Sequence, residues 1–129
     1  MKPTDSELEI LHVLWANGPS TVRQVHEILS QSRDIGYTTA LKLMQIMYEK
    51  GLLSREEESR SHTYTALVSQ EDTQRNLVDR FVETAFRGSA SKLVMQVLGQ
   101  HKASRAELDE IKNLLNNLNR DAGRQDLSD

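Results

Sequence analysis

One stretch of the chain, residues 36–68, limits the possible folds more than any other. It begins with an apolar-periodic segment that stops at Lys50-Gly51, where glycine permits the left-handed exit of a helix. Two short runs rich in strand-forming residues follow, at 52–57 and 62–68, with residues 58–61 as the turn between them. The stretch therefore predicts a helix that leads directly into a two-stranded wing.

Two amphipathic segments precede this stretch. Thr4 and Glu7 have the spacing of a capping box, and Gly18-Pro19 ends the helix that they begin. Its apolar stripe recurs with a 3.6-residue period and consists of Leu8, Leu11, His12 and Trp15, widened by Ile10 and Leu14. Ser20-Thr21 then caps a second helix, whose stripe consists of Val22, Val25, Ile28 and Leu29. Three helices and a hairpin predict a winged helix-turn-helix domain over residues 1–68.

The second half of the chain contains three further helical segments, so the fold class is mainly α. Cap signals at Ser69, Ser89 and Ser104 open these segments, and each segment has a single apolar face. We expect residues 69–120 to form a three-helix dimerisation region that pairs with a second copy through Phe81, Leu93, Val97, Leu108, Ile111, Leu114, Leu115 and Leu118. The alternative is that these helices fold back on the N-terminal domain as ordinary core. Residues 121–129 are polar and are predicted to be a disordered tail.

Composition excludes several classes of protein. The 129 residues include no cysteine, which rules out disulfides and thiolate chemistry and suits a reducing cytoplasm. No apolar run is long enough for a membrane span, and no motif indicates an enzyme, a metal site or a cofactor. The net charge is −3, and residues 1–68 carry 7 basic and 9 acidic side chains, a net of −2. A nucleic-acid-binding domain is usually basic, so only a local cluster of cations would suit that function here.

The order of elements and several short motifs resemble the BlaI/MecI-type penicillinase and methicillin-resistance repressors over about residues 3–119. The matching motifs are Glu7 and Glu9 before the run that ends at Trp15, Ser20-Thr21-Val22, Tyr37-Thr38-Thr39-Ala40, Glu49-Lys50-Gly51-Leu52, and a wing that ends in Tyr64. The resemblance implies a homodimeric transcriptional repressor whose winged helices bind double-stranded DNA at the two halves of a palindromic operator. In members that respond to β-lactams, it also implies a membrane sensor with a metalloprotease domain, whose signal leads to cleavage of the repressor.

The chain departs from the family pattern at three places. Gln96-Val97 occupies the position of the family's scissile Asn-Phe pair, so the resemblance does not support cleavage there. The copper-responsive members carry C-terminal cysteine pairs that this chain lacks. Leu41 and Ile46 are apolar where members often carry a polar residue and an arginine, which predicts a different operator sequence or binding strength.

The predicted contacts to DNA lie on the third helix and the wing. Thr38, Thr39 and Lys42 are placed to reach bases or phosphates, and Gln45, one turn further along, has the donor and acceptor to read adenine. Arg60 and His62 at the wing turn, together with Arg23 and Arg55, are candidates for the phosphate backbone. Each of these side chains has an alternative role as an ordinary solvated residue.

Two other functions are compatible with the same elements. A winged helix without specific DNA binding could act as a protein-interaction module, which the acidic N-terminal half would suit. A ligand-sensing regulator of the multidrug-response type would need an apolar cavity, for which the sequence offers only Tyr64, Phe81 and Phe86.

Overall fold

The cap and stripe signals of the first half produce three helices and a small sheet. The computed structural model describes residues 2–57 and 60–128, with side chains up to residue 124. The chain divides into two units, Met1–Phe81 and Val82–Asp129. In the first unit the elements follow in the order α1 (Asp5–Asn17), β1 (Ser20–Thr21), α2 (Val22–Leu29), α3 (Tyr37–Glu49), β2 (Leu53–Glu56) and β3 (Thr63–Ala66).

The helix boundaries arise from the capping residues that the sequence predicts. The Thr4 N–H donates to Glu7 Oε1 at 2.9 Å and the Glu7 N–H donates to Thr4 Oγ1 at 3.2 Å, which completes the capping box of α1. Thr21 and Gln24 form the same reciprocal pair at the start of α2. Gly18, with φ of 79°, ends α1 in a conformation that is unfavourable for a residue with a Cβ. These predictions are confirmed.

The sheet contains one strand more than the sequence predicted. Its order is β1-β3-β2, and both neighbouring pairs are antiparallel. Besides pairing with the hairpin partner β2, β3 pairs with Ser20 and Thr21 opposite Tyr64 and Thr63. Two residues are too few to show an alternating pattern, and Thr21 also caps α2, so the sequence indicates only the cap. The short β1 ties the base of the wing to the α1–α2 connection. Residues 58 and 59 of the predicted wing turn lie outside the described residues.

The core of the first unit is aliphatic and is shared by all three helices. Its buried members are Ile10, Leu11, Val13, Leu14, Val22, Val25, Leu29, Ile35, Ala40, Met44, Met47, Leu52, Leu53 and Tyr64. The predicted stripe of α1 needs a correction, because His12 is exposed and Val13 takes a place in the core. A polar ring can remain hydrated at the edge of the stripe, whereas valine gains by burial. Trp15, the last residue of the predicted stripe, is half-buried, and its indole N–H donates to the Val68 carbonyl at 2.9 Å.

Three helices follow the wing: α4 (Gln70–Phe86), α5 (Ala90–Gln100) and α6 (Arg105–Ser128). The predicted caps are present, since Ser69, Ser89 and Ser104 each accept a backbone N–H from three residues further along. The division between the two units falls within α4 at Phe81, whereas the sequence placed it at residue 68. The assignment of DNA binding to residues 1–68 and dimerisation to 69–120 stays a prediction.

The last helix, α6, extends further along the chain than the sequence predicted. The sequence predicted a disordered tail at 121–129, but α6 runs through Gly123 to Ser128. A single glycine costs a helix only about 1 kcal/mol relative to alanine, and the neighbouring alanine and arginine are good helix formers. Within the described part of the chain, no helix is both long and apolar enough to cross a membrane.

A buried ion pair joins the beginning of α1 to the residue that caps the end of α3. The Glu7 side chain is only 2% exposed, and Lys50 Nζ lies 2.9 Å from its Oε2 and 3.1 Å from its Oε1. Burial is the largest influence on this carboxyl and acts to raise its pKa. Hydrogen bonds from Thr4 and the charge of Lys50 together outweigh burial, so the pKa of Glu7 is lowered from its ordinary value.

We predict that Glu7→Gln destabilises the fold by about 1–2 kcal/mol near neutral pH, because Lys50 and the Thr4 N–H lose a charged acceptor. A carboxyl whose pKa is lowered by folding stabilises the fold above its unfolded pKa and loses that effect as the pH falls through its folded pKa. The difference between wild type and variant should therefore shrink below about pH 4.3. Urea unfolding at neutral pH and near pH 3 measures both effects.

Glu9→Gln is the matched control, because Glu9 pairs with Arg33 on the surface, with the two side chains 41% and 40% exposed. It should change stability by less than about 0.5 kcal/mol. Equal effects of the two substitutions would contradict the role assigned to the buried pair.

Candidate nucleic-acid interface

The third helix is divided lengthwise into a buried face and an exposed face. Ala40, Met44 and Met47 are completely buried against the rest of the first unit. The opposite face exposes the four predicted reading residues, Thr38, Thr39, Lys42 and Gln45. Because these residues follow the helical repeat, their side chains lie along one surface of α3, starting in its first turn. Leu41 and Ile46, the two apolar departures, are half-buried at the edges of this face.

The N-terminal end of α3 is fixed to α2 by a histidine. His26 Nε2 lies 2.7 Å from the Ile35 carbonyl oxygen, so the ring donates to the segment just before the helix. The same ring meets the Tyr37 ring edge to face, with centroids 5.9 Å apart. Gly36, the N-cap residue, provides no side-chain cap. The sequence reasoning missed this role of His26, and the nine-residue separation from Ile35 gave no periodic signal.

A groove runs between α2, α3 and the wing turn. Its volume is about 1000 Å³, and four of the predicted contact residues line it: Arg23, Gln45, Arg60 and His62. Thr38, Thr39 and Lys42 are not among its lining residues and belong to the open face of α3. Seven of the eight predicted contact residues thus lie either on the exposed face of α3 or in the adjoining groove, and Gln45 belongs to both.

Arg55 differs from the other candidates because its side chain is held within the wing. Its guanidinium lies 4.1 Å from the centroid of the Tyr48 ring and donates to Glu57 Oε1 through Nε and Nη2, at 3.1 and 2.8 Å. A hydrogen bond to Tyr64, followed by the bonds to Glu57, raises the pKa of Arg55 above its usual value. A phosphate contact by Arg55 stays a prediction, and it would have to compete with these partners. The sequence pattern did not reveal the stacking on Tyr48.

The glutamates of the wing fall into two groups. Glu57 is paired with Arg55, and Glu56 is exposed at the end of β2. Glu58, in the predicted wing turn, lies outside the described residues. The exposed face of α3 and the adjoining groove carry three exposed cations, Arg23, Lys42 and Arg60, so positive charge there is sparse. Among the described residues no three His, Asp or Glu side chains come together as a metal site.

A helix-turn-helix with a β wing, and with one polar face of its third helix exposed, defines the winged-helix class of DNA-binding domain. The chain belongs to the penicillinase repressor family, whose profile matches residues 3–117. It is 30% identical to the transcriptional regulator BlaI of Mycobacterium tuberculosis over 105 residues, which cover 80% of this chain and 76% of that protein. It is 23% identical to the methicillin resistance regulatory protein MecI of Mammaliicoccus sciuri over 113 residues, or 88% of this chain and 92% of MecI.

Among solved structures, the solution structure of the DNA-binding domain of the repressor BlaI matches 56% of this chain and 93% of that domain, with 26% identity and a TM-score of 0.49. The family assignment confirms the resemblance seen in the sequence motifs. The protein is therefore a DNA-binding transcriptional repressor, from a family of regulators and not of enzymes.

We predict that His26→Ala loosens the start of α3, the recognition helix of the winged-helix domain. Loss of the bond to the Ile35 carbonyl and of the packing on Tyr37 should cost about 1–2 kcal/mol. It should also speed amide hydrogen exchange at Ala40 and Leu41, in the first turns of α3. Urea unfolding and exchange followed by NMR provide the two measurements.

His12→Ala is the control, because His12 is exposed and only meets the edge of the Trp15 ring, at 5.1 Å between centroids. Unchanged exchange at the start of α3 in His26→Ala would show that this histidine does not position the helix.

Proposed function

We propose that the protein acts as a homodimer on a palindromic operator, with each winged helix reading one half-site. The observation that supports this best is the exposed polar face of α3, set opposite three completely buried core residues in a member of the penicillinase repressor family. A core on one side fixes the helix, and a solvent-exposed polar side leaves its side chains available to the major groove.

The chemistry of that face favours direct reading of bases near the helix start. Thr38 and Thr39 lie in the first turn, where a hydroxyl donates to a base or phosphate and a methyl group packs on a thymine methyl. Lys42 can reach the O6 and N7 atoms of guanine, and Gln45 has the donor and acceptor pair that matches adenine. We assign sequence preference to these four residues.

The groove residues supply contacts to the DNA backbone in this proposal. Arg23, Arg60 and His62 line the groove beside α3, at the side where the wing turn lies. Phosphate contacts fix register and make affinity fall with salt, by a slope of about 0.9 per neutralised phosphate. With so few cations, each half of the dimer should have a shallow salt dependence and a low affinity of its own.

The second copy would be held by the apolar faces of the C-terminal helices. Half-exposed or more exposed apolar side chains recur on all three: Phe81 on α4, Val97 on α5, and Leu108, Leu114, Leu115 and Leu118 on α6. Leu93 and Ile111 are half-buried beside them. Exposed apolar side chains that recur on the helices of a small protein mark an interaction site, and a two-fold partner covers the same residues on both copies. The alternative, in which these helices serve as ordinary core of the same chain, would require these side chains to be buried.

Release from the operator, in this proposal, responds to an inducer-linked signal. A membrane sensor protease is the partner that the family resemblance suggests for such a signal. Cleavage at Gln96-Val97 is not part of the proposal, because the Asn-Phe pair is absent and the bond lies inside α5, whereas proteolysis is concentrated in exposed loops.

We predict that Lys42→Ala weakens specific operator binding by about tenfold, as expected for one lost contact to a base. Alanine is a strong helix former, so α3 should persist. Fluorescence anisotropy with DNA from upstream of the protein's own gene, at two salt concentrations, measures the effect.

Lys102→Ala, which removes an exposed lysine between α5 and α6, is the charge-matched control and should bind as wild type does. If wild type and Lys42→Ala bound the operator with equal affinity, the surface that contacts the bases would not be the exposed face of α3. Absence of any specific, salt-sensitive binding by wild type would favour the protein-interaction module instead.

We predict that Leu114→Asp and Leu115→Asp each weaken the dimer at least about 100-fold, because a carboxylate would be buried in the apolar interface. Sedimentation velocity at micromolar concentration should then show monomers. Asn116→Asp, an exposed neighbour on the same helix, introduces the same charge and should leave the dimer intact. A dimer that survives both leucine substitutions would contradict the assigned interface.

A further inference from the structure

A second concavity of the first unit is not used by the proposed DNA contacts. It has a volume of about 510 Å³ and lies at the C-terminal end of the recognition helix. Its walls come from three parts of the chain: Lys2 and Pro3, residues 50–52 just after α3, and residues 67–80, which include the first turns of α4. None of the eight predicted DNA-contact residues lines it. Its volume is within the range of about 300–1000 Å³ that is typical of small-molecule sites.

The charge of this pocket contrasts with that of the domain around it. Lys2, Lys50 and Arg80 line it together with a single carboxylate, Asp72, so three positive and one negative side chain give a net of +2. The unit that contains the pocket, residues 1–81, carries 9 basic and 12 acidic side chains, a net charge of −3. Asp72 Oδ1 also lies 3.3 Å from Arg75 Nη1, which offsets part of its charge. Glu7 similarly offsets Lys50. Counted over all four of these lining side chains, positive charge exceeds negative charge, which favours an anion.

The rest of the lining combines apolar side chains with neutral hydrogen-bonding groups. Leu67 and Leu77 provide apolar surface, since Leu67 is 59% exposed and Leu77 is half-buried. Thr73 and Asn76 provide a hydroxyl and an amide on α4, and Thr73 is 7% exposed. A few polar groups in a partly apolar concavity orient a ligand, while the apolar area contributes affinity.

From these features we propose that the pocket binds a small organic anion, with a carboxylate or phosphate group beside the cations and an apolar body against the leucines. Such an occupant would contact both Gly51, two residues after the end of α3, and α4. The site is independent of the operator proposal, and its test uses no DNA.

The test titrates benzoate, phenyl phosphate and the uncharged benzyl alcohol into the ¹⁵N-labelled full-length protein, followed by NMR. We expect saturable shifts of the backbone amides of Gly51, Leu52, Thr73 and Asn76 with at least one of the two anions. The relative affinities of benzoate and phenyl phosphate identify the preferred anionic group. Benzyl alcohol should bind at least about tenfold more weakly, a difference of about 1.4 kcal/mol.

Two variants and one control connect binding to the pocket cations. Arg80→Gln and Lys2→Gln should each weaken binding of the preferred anion by about threefold to tenfold. Lys2 lies outside the helices, so its substitution tests the site even if Arg80→Gln alters α4. Arg33→Gln removes an exposed arginine of the first unit that pairs with Glu9 and does not line the pocket, and it should bind as wild type does.

Three results would overturn the assignment. The first is that neither benzoate nor phenyl phosphate produces saturable shifts. The second is that benzyl alcohol binds as tightly as the preferred anion. The third is an affinity that neither Arg80→Gln nor Lys2→Gln changes.

Discussion

The geometry of the reading domain depends on a single buried ion pair. Glu7 accepts from the Thr4 N–H at the start of α1 and from Lys50 at the end of α3, so one carboxylate joins two helix ends that are 43 residues apart in sequence. Burying a charge is costly unless its partners have good geometry, and alternative packings of α1 against α3 would lose those partners. We therefore regard the pair as a constraint on where the recognition helix lies, more than as a large source of net stability. His26 provides the corresponding constraint at the other end of α3 by bonding to Ile35.

Sparse positive charge is the second constraint, because it limits how the domain can bind a polyanion. A domain with net charge −2 gains little from general attraction to phosphates, so we assign its preference in the proposed mechanism to the polar face of α3 and a few cations beside it. When two such domains are joined in the proposed dimer, binding of one domain to its half-site raises the effective concentration of the other domain at the second half-site. In the proposed mechanism, each domain binds its half-site weakly, and the strong association of the two copies compensates. A low affinity for non-specific DNA would favour discrimination between the operator and other DNA.

Local signals in the sequence predicted most of this fold, and the exceptions are contacts between distant residues. The capping box of Thr4, the cap at Thr21, the Gly18 exit and the apolar stripe of α2 are short-range patterns, which is why they could be predicted. Strand β1 was missed because two residues carry no periodicity. The Glu7–Lys50 pair was missed because a glutamate in a capping box already has a sufficient local explanation. At the candidate site, the helical repeat predicted which face of α3 is exposed, but the partners that hold Arg55 within the wing depend on tertiary structure.

The two units differ in how much apolar surface they leave exposed, and in the proposed dimer this difference bears on how the protein is released from DNA. The first unit has a closed core and a recognition helix fixed at both ends, so remodelling its reading face would break the Glu7–Lys50 pair or the His26–Ile35 bond. The second unit exposes apolar side chains along its helices, so in the proposed dimer its stability should depend on the concentration of the second copy. A signal of a few kcal/mol acting on that pairing would lower operator occupancy without changing either reading face, because occupancy by weak half-site readers depends on their being joined. We therefore infer that release from DNA proceeds by separating the two copies, and not by deforming the winged helix.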